Sequence, residues 1–163
     1  MGTIANPYHF RSWWNSIQAH PIDSYPERAV LYQRALTYLP GSYKLWFNFL
    51  RESKKYVKTN IHELLNEDPT EEARFTEVVA EIFERSLVYM NKMPKIWLDY
   101  AKYLAKVCKS VSRTREVYDR ALNTLPITQH QLIWDQCLDW ACSLEDFPDT
   151  GCHFFRRYIQ YRP

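Results

Sequence analysis

The sequence predicts an all-α fold, a right-handed α-solenoid of about four antiparallel helix pairs, on three observations. Hydrophobic residues make up 46% of the 163 and aromatics 16%, while glycine occurs three times and nine prolines are scattered along the chain. Scarce glycine and spaced proline suit helices punctuated by breaks, not a turn-rich β fold. A motif also recurs: "VLYQRALTYLP" closes at Pro40, "EIFERSLVYMNKMP" at Pro94, "EVYDRALNTLP" at Pro126 and "HFFRRYIQYRP" at Pro163. In each an aromatic stands two residues before an arginine: Tyr32 and Arg34, Phe83 and Arg85, Tyr118 and Arg120, Phe155 and Arg157. The arginines are 51, 35 and 37 residues apart. Finally, Trp-led segments interleave with these copies: "RSWWNSI", "KLWFNFL", "KIWLDYAKYL" and "LIWDQCLDWACSL". A period in the mid-thirties means stacked supersecondary units, each burying its apolar face against the next.

The first pair is expected at 7–19 and 24–39 (repeat 7–39), with Trp13 or Trp14 facing inward, since neighbours on a helix cannot share a face. The second is expected at 42–57 and 69–93 (repeat 42–93). Trp46, Phe49 and Leu50 open its apolar stripe, and the charged stretch 54–68 reads as an inserted, exposed loop. Asp68, Pro69 and Glu71 then read as a helix start: a capping carboxylate, a proline where no N–H is needed, and an acid facing back. The third pair falls at 94–108 and 110–125 (repeat 94–125), with Trp97, Tyr100, Ala101 and Leu104 at helical spacing, then Val117, Tyr118, Ala121 and Leu122. The fourth falls at 128–145 and 147–162 (repeat 128–162). Pro40, Pro94 and Pro126 should end the second helix of their pairs, because proline cannot continue a helix. Ala35, Ser86 and Ala121 suit the closest helix crossings.

These residues resemble a known family. Trp-x-x-aromatic in one helix, followed by aromatic-x-Arg-Ala-Leu and a closing proline, is similar to the half-a-TPR (HAT) repeat of RNA-processing proteins. A true TPR would place a glycine in the first helix, and none stands there. "LPGSYKLWFNFL", "MNKMPKIWLDYAKYL" and "REVYDRALNTLPITQHQLIW" more narrowly resemble the N-terminal repeats of the Syf-type pre-mRNA splicing factors, the XPA-binding HAT proteins of animals. The crooked-neck splicing factors, a second HAT group, are the weaker match. The resemblance covers Tyr25 to Pro163. It departs at 54–68 and at Tyr158, which stands where alanine is expected. It implies an N-terminal fragment of a longer nuclear protein. That protein would be a non-catalytic scaffold of the NineTeen-associated complex, with crooked-neck-type and other spliceosomal subunits as partners, and a link to transcription-coupled repair in animals.

From the residues themselves, Trp46, Trp97 and Trp134 recur where a helix pair needs filling, which favours core over base stacking. Arg34, Arg85, Arg120 and Arg157 are open to two readings, a ladder of anion contacts or pairing between helices with the stem packed on the preceding aromatic. The second suits a planar guanidinium better. The candidate partner or RNA edge is basic. Arg51, Lys54, Lys55 and Lys58 fall at the turn of pair two, Lys106, Lys109, Arg113 and Arg115 at that of pair three, and in a solenoid such turns share one edge. The matching turn of pair four, "SLEDFPD", is acidic, so the basic stripe ends there.

With 21 basic and 19 acidic residues the net charge is +2, which makes no global case for nucleic acid. Cys108, Cys137, Cys142 and Cys152 form no CxxC pair and read as free thiols of a reducing compartment. "MGTIANPYHFRSWW" does not resemble a signal peptide, and no stretch reaches the roughly 18 apolar residues of a membrane span. "His62-Glu63-Leu64-Leu65-Asn66" lacks the second zinc ligand of HExxH, and Cys152-His153 has no partners at ligand spacing. No enzyme, metal or cofactor site is expected. The last helix, with Phe154, Phe155, Tyr158, Ile159 and Tyr161, is expected to expose apolar surface and promote self-association.

Overall fold

A computed structural model describes residues 6–64 and 69–161, with side chains outside 61–64 and 69–72. Among the described residues there are eight α-helices, packed sequentially in pairs, and one 3-10 turn. The chain divides after Met90 into two compact units. The first holds α1 (Phe10–Ala19), α2 (Tyr25–Tyr38), α3 (Tyr43–Leu64) and α4 (Pro69–Met90). The second holds α5 (Pro94–Lys106), α6 (Val111–Thr124), the 3-10 turn Ile127–Gln129, α7 (His130–Cys142) and α8 (Pro148–Tyr161).

Two expectations about breaks are corrected. Residues 54–64 are not a loop: α3 runs through Leu64. Leu50, Ser53 and Val57 continue one buried face at i, i+3 and i+7, no glycine or proline interrupts it, and the lysines occupy its solvent side. Tyr56 extends the packing by stacking on Tyr25 at 4.3 Å. The remainder of the expected insertion, 65–68 with Asp68 and Asn66, lies outside the described residues. Pro94 does not end α4, which stops at Met90; it is the first residue of α5, where the missing N–H would have had no partner anyway. Pro40 and Pro126 do follow directly on helix C-caps, Leu39 and Leu125.

Within the first unit the apolar stripe of α2 contains a cation. Arg28 is 2% exposed and lies at i, i+4 and i+7 with the buried Tyr32 and Ala35. Its Nε and Nη2 donate to the two carboxylate oxygens of Glu52 on α3 at 2.8 and 2.6 Å. Its Nη1 donates to the carbonyls of Ile17 and His20 at 2.6 and 2.8 Å, satisfying the C-terminal end of α1. The Tyr32 hydroxyl donates to the same carboxylate at 2.9 Å, and burial beside that charge raises the phenol pKa well above its ordinary value. One guanidinium therefore ties three helices, with every charged atom partnered.

The second unit has a close helix approach that the repeat does not announce. Ala121 is buried as expected, but between α7 and α8 the close position is Gly151. A Cβ there would stand 3.2 Å from the Ala141 carbonyl. Phe154 is fully buried, and Phe155, the aromatic aligned with Tyr32 and Tyr118, is exposed instead. Tyr158, where alanine is expected, packs its ring 5.7 Å from Trp134. Between α5 and α6 the chain reverses through Lys109 at φ +50°, a left-handed conformation that favours glycine. Ser110 then caps α6, its hydroxyl accepting from the Arg113 N–H.

Replacing Arg28→Met leaves the Glu52 carboxylate with only the Tyr32 hydroxyl and removes the guanidinium from two carbonyls, and should lower unfolding free energy by about 3–5 kcal/mol. The double variant Arg28→Met with Glu52→Leu should recover much of that loss, as read from urea midpoints. Lys109→Gly relieves the left-handed strain and should raise stability by about 1 kcal/mol by the same measurement.

Candidate functional site

The recurring residues build the hairpins themselves. Trp46, Trp97 and Trp134 are 2%, 3% and 4% exposed, and Tyr32, Phe83 and Tyr118 are buried on the following helices. A buried indole needs an acceptor for its N–H. Trp13, Trp46 and Trp97 find it six residues upstream, in the turn before their helix: the carbonyls of Pro7, Pro40 and Asn91 at 2.7, 2.8 and 2.8 Å. Trp134 departs from the rule. The residue six before it, Thr128, lies inside the 3-10 turn, and the Trp134 N–H is buried with no partner, as is the Gln129 side-chain oxygen.

The expectation that each arginine stem packs on the aromatic two residues upstream runs against helix geometry, because positions i and i+2 on a helix point to different sides. The arginines lie over the indole of the helix paired with their own. The Arg34 guanidinium is 5.9 Å from the Trp13 ring, Arg120 5.4 Å from Trp97, and Arg157 5.7 Å from Trp134. Arg157 also pairs with Asp119 on α6. The second hairpin differs: Arg85 is exposed, and Trp46 stacks on Tyr89 instead.

The eight residues of the expected basic edge divide by occupation. Arg51 donates to the Asn48 side chain at 2.7 Å, and the Lys54 ammonium sits 5.7 Å from the Phe83 ring. Arg113 is half-buried and engaged. Lys55, Lys58, Lys106, Lys109 and Arg115 are exposed. Lys106 and Lys109 line a groove of about 740 Å³ in the second unit, between the α5–α6 turn and the α7–α8 turn. Lys102 joins them from α5, while Asp139 on α7 and Glu145 and Asp146 in its following turn supply acids. The floor holds Tyr118 and Trp140, rings 5.4 Å apart, with Phe147 exposed at the lip. Gln136 braces the floor, its amide donating to the Leu98 carbonyl at 2.9 Å and the Tyr118 hydroxyl at 3.1 Å. Burial raises the pKa of the Tyr118 phenol and of the Cys137 thiol behind it, so both stay neutral. Among the described residues no group of three or more His, Cys, Asp or Glu is placed to hold a metal, and no helix is long and apolar enough to cross a membrane.

Two features are not assigned by the sequence pattern. Arg28 is visible there only as a charge on an apolar stripe. The acidic turn is visible only as the end of a basic run, because the residues across from it come from another helix pair.

A family model described as the pre-mRNA-splicing factor Syf1/CNRKL1 N-terminal HAT repeat matches residues 2–163. The chain belongs to that family. The pre-mRNA-splicing factor syf1 homolog of Drosophila melanogaster is 41% identical over 162 residues, 98% of this chain and 17% of that protein. Pre-mRNA-splicing factor cwf3 of Schizosaccharomyces pombe is 36% identical over 161 residues (98% and 19%), and human SYF1 is 35% identical over 160 (98% and 17%). The chain thus spans under a fifth of these relatives, within the Syf1/CNRKL1 N-terminal HAT region.

The hydrogen-bond pattern separates two tryptophans that the repeat treats alike. Trp97→Phe should cost about 1–3 kcal/mol more than Trp134→Phe, because only Trp97 gives up a hydrogen bond while both lose the same ring area. Thermal or urea unfolding of the two variants measures the difference. Truncation to alanine should cost about 3–5 kcal/mol at either site.

Proposed function

We propose that the chain is a non-catalytic docking module of the pre-mRNA splicing machinery, acting in the nucleus through protein contacts. Its partners on this reading are other spliceosomal scaffold subunits, crooked-neck-type and NineTeen-associated proteins among them. Membership of a family named for splicing factors supports the setting. The observation that carries the mode of action is where the repeat's side chains go. The indoles are buried, and three of the four repeat arginines sit over them, so the surface left for others consists of residues outside this shared motif: the turns, the groove and exposed helix-face residues such as Val78, Val88 and Ile159. That is how helical repeats generally work, presenting an extended surface on a self-supporting frame.

A second reading, direct RNA contact, draws support from Lys55 and Lys58, exposed on the solvent side of α3. It is weaker in the second unit, where Lys106 and Lys109 share their groove with three carboxylates that repel phosphate.

The tagged chain, added to splicing-competent nuclear extract with a pre-mRNA, should enter the assembling complexes and stay bound to their proteins after nuclease digestion. Release on digestion, together with binding to naked single-stranded RNA that falls steeply with salt, would establish the RNA reading in its place.

A further inference from the structure

The groove of the second unit has two flanks of opposite sign. Its lysines, Lys102, Lys106 and Lys109, all come from α5 and the turn after it; its carboxylates, Asp139, Glu145 and Asp146, all come from α7 and the turn after it. All six are exposed, and no ion pair joins the two sets among the described residues. Opposite charges facing one space without meeting are available to a third party. The third lysine is held there by a backbone that costs energy: Lys109 occupies a left-handed position where glycine would be free of strain.

Each candidate occupant meets the two flanks differently. A nucleic acid strand or an all-acidic peptide gains the lysines and is repelled by the acids, and an all-basic peptide meets the reverse. An extended peptide sends successive side chains to opposite sides. One that alternates acid and base therefore answers both flanks at once. The spacing agrees. Lys102 and Lys106, four residues apart on a helix, are separated by about 6 Å along its axis, and same-side residues of an extended chain by about 6.7 Å. Phe147, 51% exposed at the lip, and Trp140 on the floor offer an apolar contact beside the acidic flank. The Trp140 indole N–H has no acceptor among the described residues, and Trp140 lines the groove.

We propose that this groove docks an extended segment of a partner protein in which acidic and basic residues alternate, flanked by an aliphatic or aromatic residue that packs on Phe147 and Trp140. The inference rests on the protein-docking reading above and names the chemistry of one partner.

The test uses fluorescent synthetic peptides titrated against the whole chain: an alternating Glu/Arg peptide with one flanking Leu, its block isomer of identical composition with the acids first and the bases after, and a single-stranded RNA oligonucleotide. The alternating peptide should bind about tenfold tighter than its block isomer, since only it matches both flanks in register. The variants Lys102→Glu with Lys106→Glu, and Asp139→Lys with Asp146→Lys, should each weaken it about fivefold or more, while the four-site variant, with both flanks exchanged, should restore binding. That rescue separates charge matching from misfolding. Equal binding of the two isomers overturns the proposal, as does tighter binding of RNA. So does concentration-dependent self-association abolished by the lysine reversals, which would make a second copy the occupant. Because purified peptide and chain are used, failure here leaves assembly in extract untouched, and failure in extract leaves the peptide result standing.

Discussion

Three of the four hairpins are organised around an indole that is buried and hydrogen-bonded at once. Burying Trp13, Trp46 and Trp97 removes their rings from water, but the N–H goes with them and must find an acceptor. The carbonyl six residues upstream supplies it, which fixes not only the tryptophan but also the turn that leads into its helix. The arginine of the second helix then covers the ring face in three of the four hairpins, so a single side chain sets a turn, a helix and a neighbouring helix together. One closing proline fits this arrangement in a way that helix termination alone does not explain: Pro40 itself provides the carbonyl that accepts from Trp46, as Pro7, outside the repeat motif, does for Trp13.

The fourth hairpin relaxes that constraint. With a 3-10 turn at 127–129 the acceptor is lost, and the hairpin compensates by other means. Tyr158 and Tyr161 crowd Trp134, Arg157 adds an ion pair to Asp119, and Gly151 allows α8 to approach the Ala141 carbonyl. These substitutions explain why the fourth copy of the motif is worn: tyrosine replaces alanine because the ring has an indole to pack on, and the buried aromatic shifts from position 155 to 154.

The periodic features were legible because they repeat. Trp46, Trp97 and Trp134 mark helices at a fixed phase, and a period written three times is hard to misread. Helix length and cross-helix pairing were not legible. Length depends on a few buried residues against many polar ones: Ser53 and Val57 carry α3 onward through a stretch whose lysines read as loop. Pairings across helices leave no periodic trace, so Arg28 with Glu52, 24 residues apart, and the lysines facing the acids of the α7–α8 turn appear only once the helices are placed. The arginine ladder shows a further kind of error, one of geometry. The two-residue offset between aromatic and arginine is conspicuous in sequence, yet on a helix it turns the two side chains to different sides.

The same logic accounts for where a partner can be engaged. Apart from the exposed Arg85 and Phe155, the residues that recur with the repeat are taken up inside the hairpins, whereas a residue that differs between hairpins is free to differ. In the second unit the two turns that flank the groove are its least repetitive stretches, one basic and one acidic. Each is anchored by a feature with no counterpart in the motif: the left-handed Lys109 followed by the Ser110 cap on one side, and Gly151 against Ala141 on the other. The lysines and carboxylates line the same groove without an ion pair between the two sets among the described residues. A frame built from identical parts thus gains a specific surface only where its turns depart from one another.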